Sequence, residues 1–373
     1  MVEVWANRAA SSEAAVTARH LRRLWGLPGT QLGVTAWPAA RNQSLFGTWH
    51  YWWQAHLLDC LVDAQLRDPR PQRLTRIKRQ IRGHHLRNNL RWTNSYYDDM
   101  AWLALALERS GRLVGVGRPK ALRTFTEQFL NAWVPEDGGG IPWRKQDQFF
   151  NAPANGPAGI FLARYLSARG ERVRRAQQMA DWIEDILVDP DTKLVFDGIK
   201  AGSLVRAQYT YCQGVVLGLE VELANRTGDP EHAERVHRLV AAVEQHMTTD
   251  GVIRGAGGGD GGLFNAITAR YLALVATDLP GSTPADEQAR ATARTIVLTS
   301  AQSAWDYRQT VDGMPLFGPF WDRNAEVPRA ATKTAQSVDG AVNASETPER
   351  DLSVQLSGWM LMEVAHTLDA GTA

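Results

Sequence analysis

Apolar residues recur at helical spacing from one end of the chain to the other. Almost no stretch alternates with the period of two that marks a strand. With its Pro and Gly stop signals, the pattern predicts twelve helices. They run at about 11–27, 45–67, 72–90, 98–111, 119–133, 153–169, 171–187, 207–227, 230–247, 262–278, 284–301 and 351–368. Residues 30–44 and 302–350 read as long irregular connections.

The two members of each successive hairpin differ. Odd-numbered helices are amphipathic and charged: 72–91 carries seven Arg/Lys and two His, as a solvated face would. Even-numbered helices are apolar nearly all round, as in Gly214-Val215-Val216-Leu217-Gly218-Leu219. A helix of that kind is enclosed by protein. The expected fold is therefore all-α: an (α/α)6 barrel of twelve helices in two concentric rings, with residues 1–373 as one catalytic domain. A two-domain all-α arrangement is the alternative, because an αα solenoid alternates in a similar way.

In such a barrel all inner helices point the same way, so their N-terminal ends meet at one mouth. Those six ends match in chemistry: each is neutral-polar and aromatic, then apolar. Examples are Thr48-Trp49-His50-Tyr51-Trp52, Asn94-Ser95-Tyr96-Tyr97, Asn151-Ala152-Pro153-Ala154-Asn155 and Gln208-Tyr209-Thr210-Tyr211-Cys212-Gln213. Helix caps explain Asn or Ser at single starts but not the matching rings. A concave mouth of amides, hydroxyls and rings suits a carbohydrate.

Composition sharpens this picture in a few places. Fourteen Trp, several on loops, suit stacking on flat ligands. A formal net charge of +1 gives no basic field for nucleic acid. No apolar run is long enough to span a membrane, and no secretory signal is visible, so a cytoplasmic protein is expected. Cys60 and Cys212 read as buried free thiols. A monomer with no metal and no organic cofactor is expected. His84-His85 lacks ligand partners at useful spacing and reads as surface histidine. The Gly-rich stretches 137–140 and 255–262 lack the Lys-Ser/Thr ending of a phosphate loop.

One feature of the mouth is chemically loaded: Asp98-Asp99, flanked by Tyr96, Tyr97 and Trp102. Neighbouring helical residues place their carboxyl groups roughly 5–6 Å apart. Retaining glycosidases need about 5–5.5 Å and inverting ones about 6.5–9.5 Å, so adjacency argues for retention. The helix N-terminus favours one ionised Asp as nucleophile, and that charge pushes the other toward protonation, as an acid and then a base.

Tyr96-Tyr97-Asp98-Asp99-Met100-Ala101-Trp102, Gly139-Gly140-Ile141-Pro142-Trp143, Asn151 to Pro157, Tyr209 to Gly214, and Leu263-Phe264 with Arg270-Tyr271-Leu272 together resemble glycoside hydrolase family 76 over nearly the whole chain. The resemblance implies an (α/α)6 barrel and endo-hydrolysis of α-1,6-linked mannan, or of a lipid-linked mannan backbone, with retention. It implies Asp98 as nucleophile and Asp99 as acid/base. Asn265 departs from the Lys common in the family, and the missing signal departs from its mostly secreted members. Transglycosylation, as in fungal relatives, or non-catalytic mannan binding are the alternatives. The residues expected to contact substrate are Trp52, Asn94, Tyr97, Trp143, Asn155, Tyr211, Gln213, Asp260, Phe264 and Trp321.

Overall fold

The structure is a computed structural model describing residues 2–135, 139–165 and 170–371. The expected Asp137 and Gly138 of the first Gly-rich loop, and the expected helix end at Arg169, lie outside the described residues. Twelve long helices follow in order: α1 Val2–His20, α2 Tyr51–Arg67, α3 Pro71–Arg87, α4 Tyr97–Val114, α5 Pro119–Asn131 and α6 Ala152–Arg164. Then come α7 Glu171–Leu187, α8 Thr210–Thr227, α9 Pro230–Met247, α10 Phe264–Asp278, α11 Pro284–Asp306 and α12 Leu352–Ala370.

The even-numbered helices form a closed ring. Each packs against the next, and α12 returns to α2. Each odd-numbered helix lies outside an inner one: α1 on α12, α3 on α2, α5 on α4, α7 on α6, α9 on α8 and α11 on α10. The (α/α)6 barrel is thus established. Inner packing is tight where small residues allow it. A Cβ on Gly214 would lie 2.8 Å from the Thr268 Cα on the next inner helix, so only Gly fits.

Several boundaries differ from the sequence expectation. α1 starts at Val2 and ends at His20, because its buried face includes Ser12, Glu13, Arg19 and His20 beside Trp5, Ala9, Ala15 and Val16 and so carries little apolar signal. Leu21–Arg22 instead pairs antiparallel with Leu32–Gly33. α2 begins at Tyr51 rather than Leu45, since Phe46 and His50 have φ of 55° and 45°, which no helix tolerates. A separate single-turn helix covers Arg41–Ser44. α11 continues to Asp306 because Ala301 and Ala304 keep its buried stripe going.

Short antiparallel strands were not expected. Phe149–Asn151, Gly198–Lys200 and Ser203–Val205 form a three-stranded sheet, and Gln336–Val338 pairs with Ala341–Asn343. Strands of three residues are too short for alternation to stand out.

Candidate active site

The start of α4 is set by pairing outside the helix. Tyr97 N–H donates to the Trp143 carbonyl at 2.8 Å, and Lys145 N–H donates to the Ser95 carbonyl at 2.8 Å. This pairing brings the Trp143 loop alongside Asp98, whose Oδ2 accepts the Trp143 indole N–H at 2.9 Å. Asp98 Oδ1 accepts the Asp99 backbone N–H at 2.8 Å, one of the free donors of the helix start. The Asn94 side chain folds back at this turn. Its Oδ1 accepts the Tyr96 N–H, and its Nδ2 donates to Asp99 Oδ2.

Both carboxyl groups face a cleft of about 510 Å³ at the barrel mouth. Two further carboxylates line it, Asp197 and Asp260. Asp260 sits on a short 3-10 helix, Gly259–Leu263, ahead of α10. Its Oδ1 accepts the indole N–H groups of Trp52 and Trp53 at 3.1 and 3.0 Å, and its Oδ2 accepts the Val342 N–H at 2.7 Å. It therefore ties α2 and the Gln336–Asn343 hairpin to the cleft floor, and its side chain caps no helix. Tyr211 of α8 and Phe264 of α10 stack at 3.8 Å and make an aromatic wall. Tyr96 and Trp143 meet edge to face at 5.1 Å on another side. The hairpin turn lies over that pair: a Cβ on Gly340 would come within 2.6 Å of the Tyr96 hydroxyl.

Burial pushes both Asp98 and Asp99 above the usual carboxylate range. The two differ in what offsets it. Hydrogen bonds from Trp143 and from the Asp99 amide draw Asp98 back down. The charge of Asp98 drives Asp99 further up, and only Asn94 opposes. Asp99 therefore keeps its proton to higher pH than Asp98 does. Burial also raises Asp197 and Asp260, each to about 6.

Of the residues expected at the site, Asp98, Asp99, Trp52, Trp143, Tyr211, Asp260 and Phe264 line this cleft together. Five do not. Asn94 acts on Asp99 from behind the cleft. Tyr97 packs against the core. Asn155 and Gln213 are fully buried, and each side-chain amide is spent on backbone: Asn155 on Ile141 and Asn151, Gln213 on Val195 and Tyr209. Trp321 is only 2% exposed, in the core rather than on the surface.

His84 also departs from expectation: it is buried, with Nε2 facing the Tyr51 carbonyl at 3.3 Å, and burial lowers it to about 3. Cys60 and Cys212 are buried free thiols, as expected.

The sequence reading missed Asp197, Tyr209, Tyr51, Trp102 and the 336–343 hairpin as parts of the cleft. Tyr51, Trp102 and Tyr209 belong to the aromatic helix starts and were legible there. Asp197 lies in the connection just before the three-residue strand Gly198–Lys200, where no periodic signal exists.

A smaller cavity of about 200 Å³ lies deeper along the inner helices. Two of its carboxylates are paired with arginine: Asp63 with Arg109 and Arg270 at 2.6 Å each, and Asp59 with Arg109. Burial alone would raise Asp59, but Arg109 and Arg270 override it and hold the group at about 2. Among the described residues no cluster of His, Cys, Asp or Glu could hold a metal ion, and no helix is long and apolar enough to cross a membrane.

An (α/α)6 barrel with an acidic, ring-lined cleft at one mouth defines a class of carbohydrate-active barrels. Residues 8–351 match the model of glycosyl hydrolase family 76, and the chain belongs to that family. The structure is similar to the GH76A α-1,6-mannanase of Salegentibacter sp. HEL1_6, with a TM-score of 0.81 and 27% identity over 98% of this chain and 99% of that one. An inactive variant of that mannanase, with two consecutive aspartates changed to asparagine, was solved with α-1,6-mannotriose; it is 28% identical at the same TM-score. A Listeria innocua protein, 24% identical with a TM-score of 0.80 over 98% of both chains, shares the fold. In sequence, a mannan endo-1,6-α-mannosidase of Candida glabrata is 28% identical over 162 residues. That match takes in 38% of this chain and only 36% of the fungal protein's length.

Proposed function

We propose that this protein is a retaining endo-α-1,6-mannosidase that needs no metal or organic cofactor. The observation that carries the reading is the adjacent, half-buried Asp98–Asp99 pair in a ring-lined cleft, with Asp99 the more firmly protonated of the two. The inactive aspartate variant of the Salegentibacter enzyme and its bound mannotriose support both the pair and the substrate class.

In the first step Asp98 attacks the anomeric carbon while the glycosidic C–O bond breaks. Asp99 gives its proton to the leaving oxygen, and a covalent mannosyl ester on Asp98 results. In the second step Asp99, now ionised, takes a proton from water. The water oxygen attacks the same carbon and Asp98 leaves. Two inversions give net retention. The Trp143 N–H holds Asp98 ionised and oriented before attack, and Asn94 holds the Asp99 carboxyl in place. Tyr211, Phe264 and Trp143 offer faces for pyranose stacking.

The test is hydrolysis of linear α-1,6-mannan. Asp98→Asn and Asp99→Asn should each lose about 10³-fold or more in kcat. The first product observed by NMR should be the α-anomer. A β-anomer, or full activity of Asp98→Asn, overturns the reading.

A further inference from the structure

We propose that the rim formed by residues 21–47 and the C-terminal end of α3 docks onto an anionic lipid surface. The first observation is a segregation of charge. Residues 14–58 and 69–97 carry twelve of the 41 Lys/Arg and none of the 40 Asp/Glu. Arg70, Arg73 and Arg76 are taken up by Asp68 and Glu13, and Arg19 by backbone carbonyls. The other eight, among them Arg23, Arg41, Lys78, Arg79, Arg82 and Arg91, form no ion pair with a described carboxylate. Such a field attracts an anionic surface.

The second observation is apolar. Trp25, Leu27, Leu45 and Leu90 are 55%, 43%, 56% and 64% exposed. Trp25 and Leu90 hold φ of 48° and 58°, a left-handed backbone that bulky residues avoid. Strain that presents an apolar side chain to solvent points to use at that position.

These groups form one rim. The Trp25 indole N–H donates to the Leu45 carbonyl at 2.9 Å. The Arg87 guanidinium lies over the Trp25 ring at 6.0 Å and donates to the Phe46 carbonyl at 2.8 Å. Leu90 N–H donates to the His85 carbonyl at 2.9 Å. Beside them, Lys78, Arg79, Arg82 and Arg118 surround a basic groove against Trp92. A soluble polyanion would use the cations alone. An interface with headgroups above and acyl chains below uses both. The rim borders the catalytic mouth, since the Trp92 carbonyl holds the hydroxyl of Tyr51, which lines the cleft. Docked there, the protein would hold its cleft beside glycans that rise from the lipid surface.

The proposal is independent of the hydrolase reading. The test is co-sedimentation with vesicles of phosphatidylglycerol and of phosphatidylcholine at physiological salt. The protein should bind the anionic vesicles at least tenfold more tightly. The Arg79→Glu/Arg82→Glu/Arg91→Glu variant should lose at least tenfold of that binding, and Leu45→Ser/Leu90→Asn at least fivefold. Both variants should turn over a soluble α-1,6-mannooligosaccharide at the rate of the unchanged protein. Equal or absent binding to the two vesicle types, or binding indifferent to charge reversal, overturns the proposal. So does vesicle binding that survives loss of both leucines and is displaced by inorganic polyphosphate, because the site then takes a soluble polyanion.

Discussion

Asp98 and Asp99 titrate as a pair, and the groups around them decide which of the two ionises first. Two N–H donors favour the anion on Asp98, while Asp99 has a single amide. Removing a donor should therefore move the pH profile in a fixed direction. In Trp143→Phe, Asp98 loses the bond that lowers it and rises further. The acidic limb of kcat/KM, which needs ionised Asp98, should shift to higher pH, with kcat down about tenfold. A pH–rate series checks both. Asp197 offers a stability counterpart. Burial raises its folded-state value to about 6 from an ordinary 3.8. A raised carboxyl contributes stability below its unfolded value, and that contribution is lost as pH rises through the folded value. Asp197→Asn should stabilise the protein at pH 8 by on the order of 1 kcal/mol, seen as a higher Tm, and the gain should vanish near pH 4. Thermal melts at the two pH values decide it.

Among the helices, the matching amides at the mouth have a structural reason that their sequence did not reveal. Gln54, Asn155, Gln213 and Gln355 each sit in the first turn of an inner helix, and each grips both backbone polar groups of one residue outside it. The partners are Gly33, Ile141, Val195 and Phe317 in turn. A third bond returns to a backbone carbonyl a turn or so earlier in the chain: Trp49, Asn151, Tyr209 and Glu349. The sequence showed amides at the starts of the inner helices, and a sugar was one way to satisfy them; the backbone was the other. Gln213→Leu should therefore destabilise the protein by roughly 2–4 kcal/mol by orphaning a buried N–H and C=O, with KM unchanged. Denaturant titration and steady-state kinetics separate the two effects. Gly214→Ala should cost about 1–3 kcal/mol through the clash with Thr268.

For the whole molecule, the alternation of amphipathic and apolar helices carried the architecture, because ring position sets how many sides of a helix are buried. The adjacent aspartates and the rings at Trp52, Trp143, Tyr211 and Phe264 were legible for the same reason: they sit at helix starts or in a motif beside them. Asp197 and the 336–343 hairpin were not, since their place depends on strands of three residues and long-range pairing. Trp321 misled because a loop can fold into the core. The closed inner ring also implies that no hairpin can leave alone. Calorimetry should find one unfolding transition whose van't Hoff and calorimetric enthalpies agree, and two transitions would refute a single cooperative unit.

The amide clamps have one more consequence, for how such a barrel diversifies. Each reads a peptide group, while the side chain it belongs to meets a separate steric fit. Gly33, Ile141, Val195 and Phe317 differ in size, yet all four are apolar and buried, and a Cβ on Gly33 would lie 2.7 Å from a Leu352 methyl. Anchorage thereby constrains a loop at one residue and leaves the rest of it free. A foreign loop of matching length, grafted between the same outer and inner helices, should keep its fastening if its anchor residue fits that buried apolar place, and the mouth can then be re-lined for another glycan while the wall stays as it is.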